Sequence, residues 1–347
     1  MSADFDASVE GRIFDIERYS THDGPGVRTT IFLKGCYLSC EWCHNPEGTS
    51  SHPELMFDEN RCILDLGCFE ACDRGALYFV DRDGVRIRKE QIGHFKHRKG
   101  EIGGRAYDRE TCILCGSCVD VCYARALELA GRNISVKDAV GELNRDRAFY
   151  ESSGGGVTVS GGEPLYQPEF VGNLLAACKA NRLHTALDTA GFSKWEGLKA
   201  VLDHTDLVLL DLKAMDREIH RRYTGVDNAL ILENAKLLAD FMMDKEKDGS
   251  YSRENTGVWI RVPVIPSIND DEGNISATAR FVREQMRGAV RVVELLGYHR
   301  LGGAKSKRLG KEPPFEGIEP PSREHMDRIA GMLGDELDGT GIRINVR

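Results

Sequence analysis

Ten of the eleven cysteines lie between residues 36 and 122, in three runs with only two to five residues between neighbours. Whatever fold the chain adopts must gather those thiols around something. The N-terminal stretch MSADFDASVEGR is polar and acidic, unlike a secretory leader, and no apolar run reaches the 18 or so residues of a membrane span. A cytoplasmic chain without a membrane partner is therefore expected. In that reducing setting, clustered cysteines read as metal ligands and not as disulfides. The net charge of −9 argues against nucleic acid as the main partner. The eleventh cysteine, Cys178 in NLLAACKA, reads as a small buried residue on a helix.

Beyond residue 133, short β-branched runs alternate with amphipathic stretches. GVTVSGGEP, HTALDTAGF, DLVLLDLKA, GVWIRVPVIP and VRVVELLGY read as strands. YQPEFVGNLLAACKANR, NALILENAKLLADFMMDKEK and EGNISATARFVREQMRG read as helices. Such alternation means parallel strands joined by helical crossovers. With RTTIFLKGC, which runs into the first cysteines, the count is six strands, short of the eight of a closed barrel. The fold class is thus α/β, a partial (βα)6 barrel of the TIM type. The motifs GGEP, LDT, LDLK and GYH stand at or just after strand ends, the edge where parallel α/β architectures build their sites.

Between the first strand and the remaining five lies a repeat. CILDLGCFEACDRGAL (62–77) and CILCGSCVDVCYARAL (112–127) align without gaps at an offset of 50 residues. In the second half, Cys112, Cys115, Cys118 and Cys122 have the C-x2-C-x2-C-x3-C spacing of bacterial ferredoxins, whose fourth cysteine reaches over to the other cluster. A zinc ribbon prefers two well-separated C-x2-C pairs. The first half has Asp65 where the second cysteine belongs, between Cys62 and Cys68, and ends on Cys72. A carboxylate binds iron as a harder, weaker ligand than thiolate. The other reading of Asp65 is an ordinary loop residue. A swapped arrangement is expected, with Cys72, Cys112, Cys115 and Cys118 on one 4Fe-4S cluster and Cys62, Asp65, Cys68 and Cys122 on the other. Residues 58–132 would then be an inserted ferredoxin-like α+β domain, and residues 1–57 with 133–347 the barrel.

The first run, GCYLSCEWCHN, offers Cys36, Cys40 and Cys43 and no fourth thiol. Three thiolates on a cubane leave one iron open, and an open position on a metal is where a substrate binds. C-x3-C-x2-C after a strand, with Trp42 before the last cysteine, resembles the radical S-adenosylmethionine superfamily. There the open iron takes the amino and carboxylate groups of S-adenosylmethionine. A degenerate zinc site is the alternative. SGGEP, with Gly161, Gly162 and Glu163, resembles the superfamily's site for the methionine amino group. A lysine at the end of a buried strand is costly unless paired, which makes Lys213 a candidate for the cofactor carboxylate. Arg261 is a second candidate, and His299 one for the ribose or adenine.

One stretch narrows the resemblance. RYSTHDGPGVRTTIFLKGCYLSCEWCHNPE (18–47), followed in order by SGGEPL, LDTAG, LDLK and GYHRLG, resembles the glycyl-radical enzyme activating enzymes, in their larger form with a two-cluster insert. The resemblance implies S-adenosylmethionine and three 4Fe-4S clusters as cofactors. The resulting radical would take the α-hydrogen of a glycine in a large partner enzyme, so no acid or base is required. It further implies cofactor contacts by Trp42, Cys43, His44, Gly162, Asp211, Leu212, Lys213 and His299. Asp188 and Thr189 would hold a monovalent cation, and Asp23 would meet the partner's glycyl loop. Electrons would come from reduced flavodoxin or ferredoxin. Residues 81–109, with nine Lys/Arg against five Asp/Glu, read either as a landing patch for that donor or as a solvated loop. Two other functions stand beside this one: a radical enzyme acting on a small molecule, and an iron–sulfur electron-transfer protein.

Overall fold

The computed structural model describes residues 5–91, 102–247, 256–286, 288–313, 315 and 317–347. Residues 92–101, the middle of the basic stretch 81–109, lie outside the described residues, and with them Lys96, Arg98 and Lys99 of the landing patch. The chain forms two compact units. One comprises Met1–His52, Gly131–Lys305 and Pro313–Arg347, the other Pro53–Ala130 and Ser306–Glu312.

The first unit opens with β1 (Glu10–Ser20) and β2 (Arg28–Leu33). The second holds β3 (Glu54–Phe57), β4 (Leu77–Asp81), β5 (Ile102–Tyr107) and β6 (Leu127–Ala130). The first resumes with β7 (Arg132–Ser135), β8 (Gly156–Gly161), β9 (Thr185–Thr189) and β10 (Leu207–Asp211). It ends with β11 (Gly257–Val264), β12 (Val290–Gly297) and β13 (Arg343–Val346).

Nine strands of the first unit form one sheet in the order β13-β12-β11-β10-β9-β8-β2-β1-β7. From β13 to β2 every neighbouring pair is parallel, while β1 runs antiparallel to both β2 and β7. The six strands read from the sequence are all present and lie side by side in chain order. Three more, β1, β7 and β13, extend the sheet. Two of these are four residues long, and β1 is interrupted by charge at Arg12, Asp15, Glu17 and Arg18, so none shows an unbroken β-branched run. The outermost strands, β13 and β7, do not pair with each other, so the sheet stays open.

Both faces of the central strands are covered. Val208 and Leu210 of β10 enter the main core with Val258, Ile260 and Leu187, whereas Leu207 and Leu209 pack with Ala186, Trp259 and Val292 on the other face. Two-sided burial is why these strands read as continuous apolar runs. Two of their crossover helices start where a side chain can accept an orphan backbone N–H. Asp216 caps the helix Arg217–Thr224 through Ile219, and Asp271 caps Glu272–Gln285 through Asn274.

The repeat is present in the backbone of the second unit. Left-handed residues recur at Leu64 and Leu114, at Leu66 and Gly116, and at Gly75 and Arg125, each pair at the sequence offset. Short helices follow at Gly67–Glu70 and Ser117–Asp120. The strand pairing is exchanged between the halves. β3, which leads into the first half, pairs with β6, which leaves the second; β5, which leads into the second, pairs with β4, which leaves the first. Reciprocal bonds repeat the exchange, from Asp58 N–H to the Ala126 carbonyl and from Asp108 N–H to the Ala76 carbonyl, both 2.8 Å.

Candidate functional site

The three-cysteine loop leaves β2 through Lys34 and Gly35. Gly35 N–H donates to the Gly48 carbonyl, and Glu163 N–H donates to the Gly35 carbonyl, both at 2.8 Å. A Cβ on Gly162 would stand 2.3 Å from the Gly35 oxygen and 2.5 Å from the Gly48 oxygen, so the loop can sit this close only over a glycine. Farther along, the N–H groups of Ser39 and Glu41 donate to the carbonyls of Thr224 (2.8 Å) and Tyr223 (3.0 Å). Gly225, at φ 82°, ends that helix and leaves room for Ser39. The segment after β12 presses from a third side: a Cβ on Gly302 would lie 2.1 Å from the Cys43 carbonyl oxygen. Lys305 locks it there by reaching Asn45 Oδ1 at 2.8 Å and Glu47 Oε1 at 2.7 Å.

Cys36, Cys40 and Cys43 are all half-buried on this loop. Burial pushes each thiol up, Cys40 to about 12, and Lys213 draws Cys40 and Cys43 part of the way back. The Leu38 N–H faces the Cys36 sulfur at 3.4 Å. Among the described residues, no three Cys, His, Asp or Glu side chains converge as a single bound ion requires. A cubane fits this donor set better. Each thiolate would bind a different iron, which needs no close convergence of the sulfurs, and iron would supply the positive charge that lets dehydrated thiols ionise.

Charged side chains fill the neighbouring strand ends. Lys213 pairs with Asp211 at 2.6 Å. Burial alone would lower the Lys213 ammonium, but Asp211 and the thiols of Cys40 and Cys36 outweigh it and hold its pKa above the ordinary value. Asp211, Arg261 and Glu294 are register partners on β10, β11 and β12. Arg261 is buried and ion-paired to Asp188 and Glu294, both at 3.2 Å, with Asp23 at 3.9 Å; it also donates to the His22 carbonyl. Burial works against this guanidinium, and the surrounding carboxylates overcome it. Of the two candidates for the cofactor carboxylate, Lys213 is the one beside the thiols, while Arg261 is enclosed by protein carboxylates.

Glu163 is buried, and its carboxylate accepts from the Thr189 hydroxyl (2.6 Å), Leu165 N–H (3.0 Å) and Ala190 N–H (2.9 Å). It braces the loops after β8 and β9, and burial still pushes it up to about 7. Thr189 Oγ also accepts from Gly191 N–H at 2.9 Å. Asp188 accepts from Ser160 Oγ at 2.6 Å, and burial pushes it up to about 6 against the pull of Arg261. Asp23 accepts from Ser20 (2.7 Å) and Thr30 (2.6 Å). The rings of His44 and His299 meet edge to face at 4.4 Å. Burial, then His299 and Lys305, press His44 down to about 4. Trp42 stacks on Phe315, with centroids 6.3 Å apart, and the Leu212 side chain lies in the core. Sequence reasoning missed Asn45, Glu47, Lys305 and Glu294. Of these only Glu294 left a signal, as a lone acid inside the apolar run VRVVELLG.

In the second unit, Cys72, Cys112, Cys115 and Cys118 line one cavity of about 210 Å³. Cys68 lies within electrostatic reach of Arg105, Cys62, Asp65 and Cys122, in that order of effect. Burial pushes both Cys68 and Cys118 up to about 11. The cavity collects Cys72, Cys112, Cys115 and Cys118, and Cys68 is near Cys62, Asp65 and Cys122, while Cys118 feels Cys68 more strongly than Cys112 or Cys72.

Comparison with known proteins gives these thiols a context. Residues 120–277 match the Radical SAM superfamily, residues 22–65 a 4Fe-4S single cluster domain, and residues 106–128 a 4Fe-4S binding domain. The chain is 37% identical over 336 residues to the (2S)-3-sulfopropanediol dehydratase activating enzyme of Klebsiella oxytoca, covering 96% of each chain. It is 39% identical over 315 residues to the isethionate sulfite-lyase activating enzyme of Desulfovibrio desulfuricans, covering 89% of this chain and 90% of that one. The 4-hydroxyphenylacetate decarboxylase activating enzyme of Clostridioides difficile is 36% identical over 333 residues, covering 94% of both. The chain belongs to the glycyl-radical enzyme activating enzymes. The activase is a radical S-adenosylmethionine, iron–sulfur enzyme that cleaves its cofactor and generates a glycyl radical on a partner enzyme. Among its described residues no helix is long and apolar enough to cross a membrane.

Proposed function

We propose that Cys36, Cys40 and Cys43 hold the catalytic 4Fe-4S cluster and that the adjacent strand ends bind S-adenosylmethionine. When bound and reduced, such a cluster gives one electron that splits the cofactor into methionine and a 5′-deoxyadenosyl radical, which takes the glycine α-hydrogen. The protein's own contribution is placement. A primary alkyl radical abstracts almost any nearby hydrogen, so selectivity lies in holding the right one close and keeping water out. Lys213, charged and beside the thiols, meets the cofactor carboxylate. Gly161 and Gly162 admit its amino group against backbone, while Glu163 holds the loops that frame it. His44 and His299 present a paired ring surface for the nucleoside. A monovalent cation at Asp188 and Thr189 would share the Asp188 carboxylate with Arg261. Asp23, fixed by Ser20 and Thr30, meets the glycyl loop.

The observation that carries this reading is the three-thiol loop, held on three sides with Lys213 beside it. Its test is electron paramagnetic resonance of an anaerobic mixture of activase, S-adenosylmethionine, reductant and the glycyl-radical enzyme it serves. A glycyl signal that Lys213→Met weakens at low cofactor and recovers at high cofactor supports it. Cofactor cleavage without any glycyl signal would instead favour a small-molecule substrate.

The second unit, in the same reading, is a ferredoxin-like insert with two further 4Fe-4S clusters, on Cys72/Cys112/Cys115/Cys118 and on Cys62/Asp65/Cys68/Cys122. These relay electrons from reduced flavodoxin or ferredoxin in the cytoplasm. The exchanged strand pairing supports this assignment, because it carries the last cysteine of each half toward the other half's set. Iron analysis of Asp65→Cys against the parent tests the carboxylate: unchanged occupancy and unchanged spectra would remove it as a ligand.

A further inference from the structure

The two halves of the second unit are not equivalent in what surrounds their cysteines. At the repeat offset, β3 and β5 correspond, so Leu55 matches Arg105 and Phe57 matches Tyr107. Leu55 and Phe57 offer no hydrogen-bond donor. Arg105 and Tyr107, two residues apart on one face of β5, both do. The Arg105 guanidinium lies over the Phe57 ring, 3.2 Å from its centroid, and its charge acts most on Cys68, then Cys62, and less on Cys118. Tyr107 lines the cavity that holds Cys112, and its hydroxyl stands beside that thiol. The Cys62/Cys68 set thus faces a cation most closely and the Cys112 set a neutral hydroxyl, and both groups come from a single strand.

Resting on the two-cluster reading above, we infer that Arg105 poises the Cys62/Cys68/Cys122 cluster at a higher reduction potential than its surroundings would otherwise give it. Reduction adds one electron to the cluster, and a half-buried positive charge beside a ligand sulfur favours that more negative state. The neutral Tyr107 hydroxyl acts in the same sense on the Cys112 side but without a net charge. The asymmetry gives the electron a preferred resting place on the Arg105 side.

The test is a redox titration of the fully reconstituted activase, followed by electron paramagnetic resonance, in the parent, Arg105→Leu, Arg105→Gln and Arg105→Lys. Cys115→Ser marks which auxiliary signal belongs to the other set. Arg105→Leu, which installs the residue found at Leu55, is expected to lower the midpoint of one auxiliary signal most, with Arg105→Gln similar and Arg105→Lys retaining most of the parent value. The other auxiliary midpoint should move less, and that of the Cys36/Cys40/Cys43 cluster not at all. Two auxiliary signals with midpoints unmoved in every variant that loads iron would overturn the role of Arg105 alone. Fewer than two auxiliary clusters in the parent would remove the two-cluster reading, and this inference with it.

Discussion

Lys213 sits in a position no lysine would occupy unaided. Its side chain is 12% exposed, and the Asp211 carboxylate at 2.6 Å is its nearest compensation. Removing one member of a buried pair leaves the other charge stranded, at a cost of about 3 kcal/mol. Asp211→Asn should therefore lower the thermal midpoint clearly, and adding Lys213→Met should restore part of the loss. Glu163 makes a different prediction. Its folded pKa, near 7, lies above the ordinary value of 4.5, so the folded chain binds more protons than the unfolded one between those limits. Stability then falls as pH rises from about 4.5 through about 7 and is level above that. Thermal melts between pH 5 and 8 should show the parent losing more than Glu163→Gln, by at most about 3 kcal/mol. That Lys213 needs a partner was legible in LDLK, because the aspartate stands two residues away. The partners of Arg261 were not legible, since Asp23, Asp188 and Glu294 arrive from separate parts of the chain and only the folded sheet, with the loop after β1, brings them together.

At the scale of elements, six strands could be read because burial on both faces makes them apolar throughout. The edge strands β7 and β13 are short and β1 beside β7 is broken by charge, and composition alone does not separate them from loops. The site depends on three close backbone approaches that were only partly legible. SGGEP announced a tight passage, but nothing in GYHRLGG shows that Gly302 faces the Cys43 carbonyl. Gly162→Ala should force Gly35 and Gly48 apart, destabilising the chain by about 2–3 kcal/mol. Cofactor cleavage should fall at least tenfold, read as 5′-deoxyadenosine formed per iron loaded. In the second unit, Cys72→Ala should disturb the same spectroscopic signal as Cys115→Ala, and Cys122→Ala the other one. If Cys72 and Cys62 proved to share a signal, the exchange of ligands between halves would be disproved.

For the molecule as a whole, the proposed reading puts cofactor cleavage in the first unit and electron relay in the second. Cys36→Ala should abolish 5′-deoxyadenosine and the partner's glycyl signal while leaving the iron of the second unit in place. Iron content and low-temperature spectra of the purified variant measure both. The crossed strands of that second unit carry a further consequence. Because the chain entering each half is stitched to the chain leaving the other, neither half is a module that stands alone. During synthesis the first half must wait, half-made, until the last residues of the second have emerged. In the proposed two-cluster reading, the ligands for either centre would therefore become available together, and a break in one lobe would dismantle both.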